Sequence, residues 1–169
     1  MRAAILLLGA LAAAIPGQAA DPTEYQLKAA FIYNFALFTE WPAEVGGTLK
    51  LCVHGRDPFG PELDQLEGQA VHLRRISIER RPRPEMLKTC QIVFIPRSAA
   101  GELPATIERL RGAPVLTVAE SAGATAQGAM LNMTVTGGKV TFAANVKSAQ
   151  QSRLGLSSKL LKLATEVVR

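Results

Sequence analysis

The sequence is poor in the residue types that carry most enzyme chemistry. Its 169 residues include two histidines, His54 and His72, and two cysteines, Cys52 and Cys90. No G-x-S-x-G elbow, Walker loop, H-E-x-x-H helix or G-x-G-x-x-G turn occurs, so the common hydrolase, nucleotide and zinc-protease signatures are absent. The two cysteines are too far apart in sequence for a CxxC redox pair or a cysteine zinc site. No heptad recurs, and no period of roughly 20–50 residues, which excludes a coiled coil and a repeat array. Charged residues make up 20% and hydrophobic ones 48% of the chain, a balance that excludes disorder. The length suits one domain.

A formal net charge of +5 would ordinarily raise nucleic acid as a partner. The first residues argue against it. Met1-Arg2 is a minimal basic start, Ala3 to Ile15 is uncharged and apolar, and Pro16-Gly17 breaks the run. Gly17-Gln18-Ala19 then supplies small residues for cleavage after Ala19. This is the layout of a secretory signal. The run falls short of the ~20 apolar residues that a membrane-spanning helix needs. Residues 1–19 are thus expected to direct export and residues 21–169 to form a single soluble domain, which excludes nucleic acid as a partner.

In an oxidising compartment an even cysteine count reads as a potential disulfide. Cys52 lies within Leu51-Cys52-Val53, and Cys90 starts the run Cys90 to Ile95. If those runs are neighbouring strands the two can be bridged; otherwise they are two buried free thiols.

The chain has only nine aromatic side chains: six Phe, two Tyr and one Trp. Six of the nine fall between Tyr25 and Trp41. Spacing predicts a helix from Pro22 to Phe38, capped by Asp21 or Thr23, with Leu27, Phe31, Asn34, Phe35 and Phe38 on one face. Ile32, Tyr33 and Leu37 make its other faces apolar too, so something must cover it on more than one side: the domain itself or a partner.

Strands are expected at Thr48 to Val53, Gln69 to Ile78 (irregular at Arg74-Arg75), Cys90 to Ile95 and Val115 to Val118. A short helix is expected at Pro61 to Leu66, and an amphipathic one at Ala99 to Arg111 with Leu103, Ile107 and Leu110 on one side. Ala129 to Val135 and Lys139 to Asn145, joined by Gly137-Gly138, read as a hairpin. A closing helix is expected over Ser157 to Val168, with Leu160, Leu163, Ala164 and Val167 inward. The fold class is α/β: a mostly parallel sheet flanked by helices, with a C-terminal antiparallel hairpin.

In open α/β sheets ligands sit outside the carboxyl ends of the parallel strands. Those ends carry His54, Arg56 and Asp57, then Arg97-Ser98, then Glu120-Ser121. Asp57 beside Arg56, with Arg97 and Glu120, suits a zwitterionic or anionic small molecule; the other reading is that Asp57-Pro58 and Ser121 only make turns. A hydrolase reading would combine His54 and Asp57 with Ser98 or Ser121. Arg74, Arg75, Arg80, Arg81 and Arg83 form the densest charge cluster, fit for an acidic partner, anionic lipid or plain solvation. Asn132-Met133-Thr134 matches a glycosylation triplet and is assigned no role. No cofactor and no metal site is expected.

Lys28-Ala29-Ala30-Phe31-Ile32-Tyr33-Asn34-Phe35 through Trp41-Pro42 resembles the opening of the YfiR family of bacterial periplasmic regulators. Leu51-Cys52-Val53 with Gly55 and Asp57 to Gly60, then Cys90 to Ile95, continue the likeness. Val115 to Val118, Gly128, Phe142 with Asn145, and Ser158 to Leu161 complete it. The resemblance implies an exported, often dimeric α/β protein without enzymatic activity, bridged between Cys52 and Cys90. It also implies repression of an inner-membrane diguanylate cyclase through that enzyme's periplasmic domain. Phe31, Tyr33, Phe35, Leu37 and Trp41 are the expected contact residues. Where relatives often carry Gly-Phe and Gly-Gly pairs, this chain has Gly123-Ala124 and Gly128-Ala129, and the second cysteine pair of some members is missing.

Overall fold

Along the central strands successive side chains point to opposite sides of the sheet, and both sides are buried. The computed structural model describes residues 22–169; the expected export signal lies outside them. Chain order runs α1 (Glu24–Leu37), β1 (Thr39–Glu40), β2 (Thr48–Val53), β3 (Ala70–Val71), β4 (Arg74–Arg80) and β5 (Ile92–Ile95). It continues with α2 (Leu103–Leu110), β6 (Leu116–Ala119), β7 (Leu131–Thr136), β8 (Lys139–Asn145), α3 (Val146–Gln151), β9 (Gly155–Leu156), α4 (Ser158–Leu161) and β10 (Glu166–Val168). Short 3-10 turns occupy Gly60–Leu66, Pro84–Thr89 and Arg97–Glu102.

The main sheet has the order β10-β8-β7-β6-β5-β2-β4-β3, and β1 pairs with β9 in a separate two-stranded ribbon. β4, β2, β5, β6 and β7 run parallel, and β8 returns antiparallel to β7. This is the expected α/β class. The chain goes from β2 to β4 on one side, then crosses back to β5 on the other. The strand order therefore reverses between β2 and β5, the place where such sheets open a crevice.

Leu49, Leu51 and Val53 of β2, Phe94 of β5, Val118 of β6 and Phe142 of β8 pack under α1. Cys52, Val93, Ile95 and Ala119 face the opposite layer, formed around Leu87, Leu103 and Leu110. Cys52 and Cys90 are joined there by a disulfide across a Cα–Cα distance of 6.0 Å, within the ordinary range for a bridge. The alternative of two buried thiols is thereby removed.

The hairpin of β7 and β8 matches the expectation, with Gly137 and Gly138 at φ of 57° and 76°, as a two-residue type I′ turn requires. Three local expectations are corrected. The segment read as one strand from Gln69 to Ile78 is a tight hairpin: Val71 pairs with Arg74, and His72-Leu73 form the turn. The closing helix stops after Leu161, because β8 has a free edge that residues 166–168 complete in parallel. Thr165 donates its N–H to the Phe142 carbonyl at 2.8 Å to start that pairing, and Leu163, expected inside, is 70% exposed. The helix expected over Ala99 to Arg111 is a 3-10 turn followed by α2, with Pro104 in its first turn, where the missing N–H costs nothing.

Candidate functional site

α1 is capped by Thr23, whose side chain accepts from the Gln26 N–H while Gln26 reaches back to the Thr23 N–H, a capping box. Its buried residues are Lys28, Ala29, Ile32, Phe35 and Ala36, so the helix is turned from the face expected. A helix apolar on all sides carries little information about its own orientation. Here a charge decides it.

Lys28 is fully buried, and its ammonium lies 2.5 Å from Glu120 Oε2 and donates also to Glu24. Glu120 follows the last residue of β6, and its Oε1 accepts the Arg97 backbone N–H at 3.1 Å. Arg97 Nη2 donates to Glu24 Oε1 at 3.1 Å. The Tyr25 hydroxyl donates to Glu120 at 3.4 Å, and its ring lies 4.7 Å from the Lys28 ammonium. The hydrogen bond from Lys28 holds the Glu24 carboxyl below its usual range, while burial raises the Tyr25 hydroxyl. Two carboxylates face two cations at the strand ends: Lys28 and Glu120 pair in the interior, and Glu24 and Arg97 carry the cluster out to the surface.

The strand-end residues named as ligand-binding candidates are thus divided. Arg97 and Glu120 meet through the Arg97 backbone N–H, while their charged groups are taken up by Glu24 and Lys28 of α1. His54 is buried with Nε2 2.9 Å from Glu102 Oε2. Asp57 Oδ1 accepts the Phe59 N–H at 2.8 Å, and Oδ2 accepts from Arg80 Nε at 2.6 Å. Arg56 is exposed, the Ser98 hydroxyl donates to the Arg56 carbonyl at 3.5 Å, and the Ser121 carbonyl accepts from Asn132 at 2.9 Å. His54 and Asp57 therefore hold separate partners, not each other. The arginine cluster is likewise largely structural. Arg74 and Arg75 donate to backbone carbonyls, and Arg80 bridges Asp57 and Asp64; the carboxylate of Asp57 keeps the Arg80 guanidinium charged to still higher pH.

The other end of α1 is built differently. A helix leaves its last four carbonyls without partners inside the helix, and here each finds one. The Phe38 N–H donates to Asn34, the Thr39 hydroxyl to Phe35 at 2.6 Å, Trp41 Nε1 to Ala36 at 3.1 Å and His72 Nε2 to Leu37 at 2.9 Å. These contacts draw the β3–β4 turn and the β1–β9 ribbon around the end of the helix. Between them lies a groove of about 660 Å³ lined by Leu37, Phe38, Trp41, Leu73, Arg74 and Lys159, among others.

Of the five expected contact residues, Leu37 and Trp41 line this groove. Phe35 is 0% exposed and stacks edge-on against Phe142 at 5.0 Å, so it packs the core and leaves the contact set. Phe31 is half-buried against Phe142, and the half-buried Tyr33 donates to the Ala70 carbonyl. Reasoning from sequence missed Lys28, Glu24, His72, Leu73 and Lys159. The Glu24–Lys28 spacing of four residues was a legible signal; the others depend on contacts between distant segments.

A family model described as YfiR/HmsC-like matches residues 25–165. Among solved structures the chain is similar to a conserved domain protein from Vibrio cholerae O1 biovar eltor, with a TM-score of 0.56 and 9% identity over 87% of this chain and 61% of that one. It is also similar to an ABC domain from Streptococcus pneumoniae in complex with L-Trp, with a TM-score of 0.55 and 9% identity over 85% and 60% of the two chains. The chain thus spans about 60% of the length of these solved structures, and at such identity the likeness is one of fold.

Proposed function

The chain belongs to the YfiR/HmsC-like family, and on that premise we propose that it is a non-enzymatic periplasmic regulator of diguanylate cyclase signalling. In this reading it is exported, binds the periplasmic domain of an inner-membrane diguanylate cyclase and represses it, lowering cytoplasmic cyclic di-GMP and biofilm growth. The observation that carries the reading is the family match over residues 25–165. The groove beside Leu37 and Trp41 supports a contact surface at the end of α1. Among the described residues no helix is long and apolar enough to cross a membrane.

Binding can repress only through a difference in affinity between the inactive and active arrangements of the partner. A hundredfold preference for the inactive arrangement supplies about 2.8 kcal/mol. Homodimerisation belongs to the same reading, and sedimentation of the purified protein tests it. The competing small-molecule reading places a ligand at the strand ends, but Asp57, Arg97 and Glu120 there are engaged by Arg80, Glu24 and Lys28.

The test is cytoplasmic cyclic di-GMP in a strain lacking the gene, beside a complemented control. The expected result is a rise that complementation reverses. Unchanged levels across several growth conditions would overturn the proposal.

A further inference from the structure

The β3–β4 turn departs from the residue preference of its class. Two-residue hairpin turns favour Gly, Asn or Asp, whereas this one is His72-Leu73. His72 adopts a φ of 53°, in the left-handed region that few non-glycine residues enter, histidine being among the more tolerant of them. Leu73 is 97% exposed, so no burial compensates. The turn is held by the bond from His72 Nε2 to the Leu37 carbonyl at the end of α1. Its effect is to hold a bare leucine over the groove that Leu37, Phe38 and Trp41 line. Where local preference and observed structure disagree, function is the usual reason.

Charge narrows what fits. Arg74 donates to the Val45 and Gly46 carbonyls at 3.2–3.3 Å, neutral groups that leave its charge uncompensated. Lys159 is exposed, and among the described residues neither Lys159 nor Arg74 forms a salt bridge. The acid on the rim, Glu40, packs over Gly155, where an added Cβ would lie 2.6 Å from Oε2. Arg74 and Lys159 against Glu40 leave the rim basic by one charge around an apolar floor of Leu37, Phe38 and Trp41.

We propose that this groove receives an acidic segment of a partner protein, one that inserts a bulky apolar side chain between Leu73 and Trp41 and sets carboxylates against Arg74 and Lys159. This rests on the regulatory reading above and adds to it the chemistry of the segment recognised.

Random peptides displayed on phage, selected on the purified mature protein, test the proposal. Trp41 is the single tryptophan of the chain, so its emission reports occupancy directly. Enriched peptides are expected to carry Asp or Glu beside a large aliphatic or aromatic residue, and a synthetic copy to shift Trp41 emission saturably. Leu73→Asp and Lys159→Glu should each weaken that peptide by about tenfold or more, while Leu163→Asp, outside the groove, should leave it unchanged. Because Leu73 and Lys159 are exposed, unchanged thermal melts will accompany these losses. Failure to enrich, enrichment of non-acidic peptides, or wild-type affinity in Leu73→Asp would overturn the proposal. So would binding to vesicles of phosphatidylethanolamine and phosphatidylglycerol that Leu73→Asp abolishes, which would assign the surface to lipid. Failure of the regulatory reading has a different signature: cyclic di-GMP stays flat on gene loss while acidic peptides still bind.

Discussion

The Lys28 ammonium lies 2.5 Å from Glu120 Oε2, with side-chain exposures of 0% and 1%. The contact joins the helix that precedes the sheet to the end of β6, 92 residues away in sequence. Buried pairs contribute little net stability against an apolar replacement, yet breaking one strands a charge. In some folds such a pair specifies one arrangement. Here the arrangement is the rotation of α1, which turns Ile32 and Phe35 into the core and brings Leu37 to the groove.

Lys28→Met should therefore destabilise the protein by about 3–5 kcal/mol, since Glu120 is left charged and buried. Adding Glu120→Leu should recover more than half of that loss. Urea denaturation midpoints of the single and double variants check this. Equal losses in both would mean that the pair does not couple the helix to the sheet.

Acid should weaken the fold through Glu24. Its carboxyl is held below the usual value of 4.5, chiefly by the hydrogen bond from Lys28. The folded state thus binds that proton less readily than the unfolded state. The associated stability is present above pH 4.5 and is lost as pH falls below it towards the lowered folded value. Glu24→Gln should flatten the pH dependence of the melting temperature in this window; an unchanged slope would refute the assignment.

Reduction of the Cys52–Cys90 bridge should lower stability by about 4 kcal/mol on the chain-entropy model, given a sequence separation of 38. Native protein under non-reducing conditions should resist alkylation at both cysteines, as mass spectrometry will report. Two alkylated thiols in native protein would contradict the bridge.

Gly128 and Gly46 offer a contrast. A Cβ on Gly128 would lie 2.9 Å from Ile107 Cγ2, and φ there is 102°. Gly128→Ala should cost about 1–3 kcal/mol. At Gly46 nothing lies within 4 Å and φ is not positive. Gly46→Ala should be neutral or stabilising by up to about 1 kcal/mol. Thermal melts of the two variants decide it, and matching effects would argue against the close approach of α2.

Residues close in sequence announced much of this fold. The apolar runs around Leu51, Val93 and Val118 mark strands buried on both faces, because that pattern follows from alternation along a single segment. Gly137-Gly138 between two alternating runs specifies its turn by backbone freedom alone. The positions of Cys52 and Cys90 at such runs make a bridge possible on sequence grounds alone.

Other features turn on partners that no local pattern names. Val167 and Val168 suit a helix face or a strand edge equally, and the free edge of β8 selects the strand. Lys28 looks like a solvated position until Glu120 meets it from the end of β6. His54, Asp57, Arg97 and Glu120 gather at the strand ends by topology, but which of them pair depends on side-chain reach between separate loops. The groove is of the same kind, since Leu73 and Lys159 meet only where the end of α1 draws the hairpin and the ribbon together. Periodicity and turn chemistry act over a few residues and are written in the chain; burial of charge, completion of an edge and the shape of a surface are set by the segments that pack there.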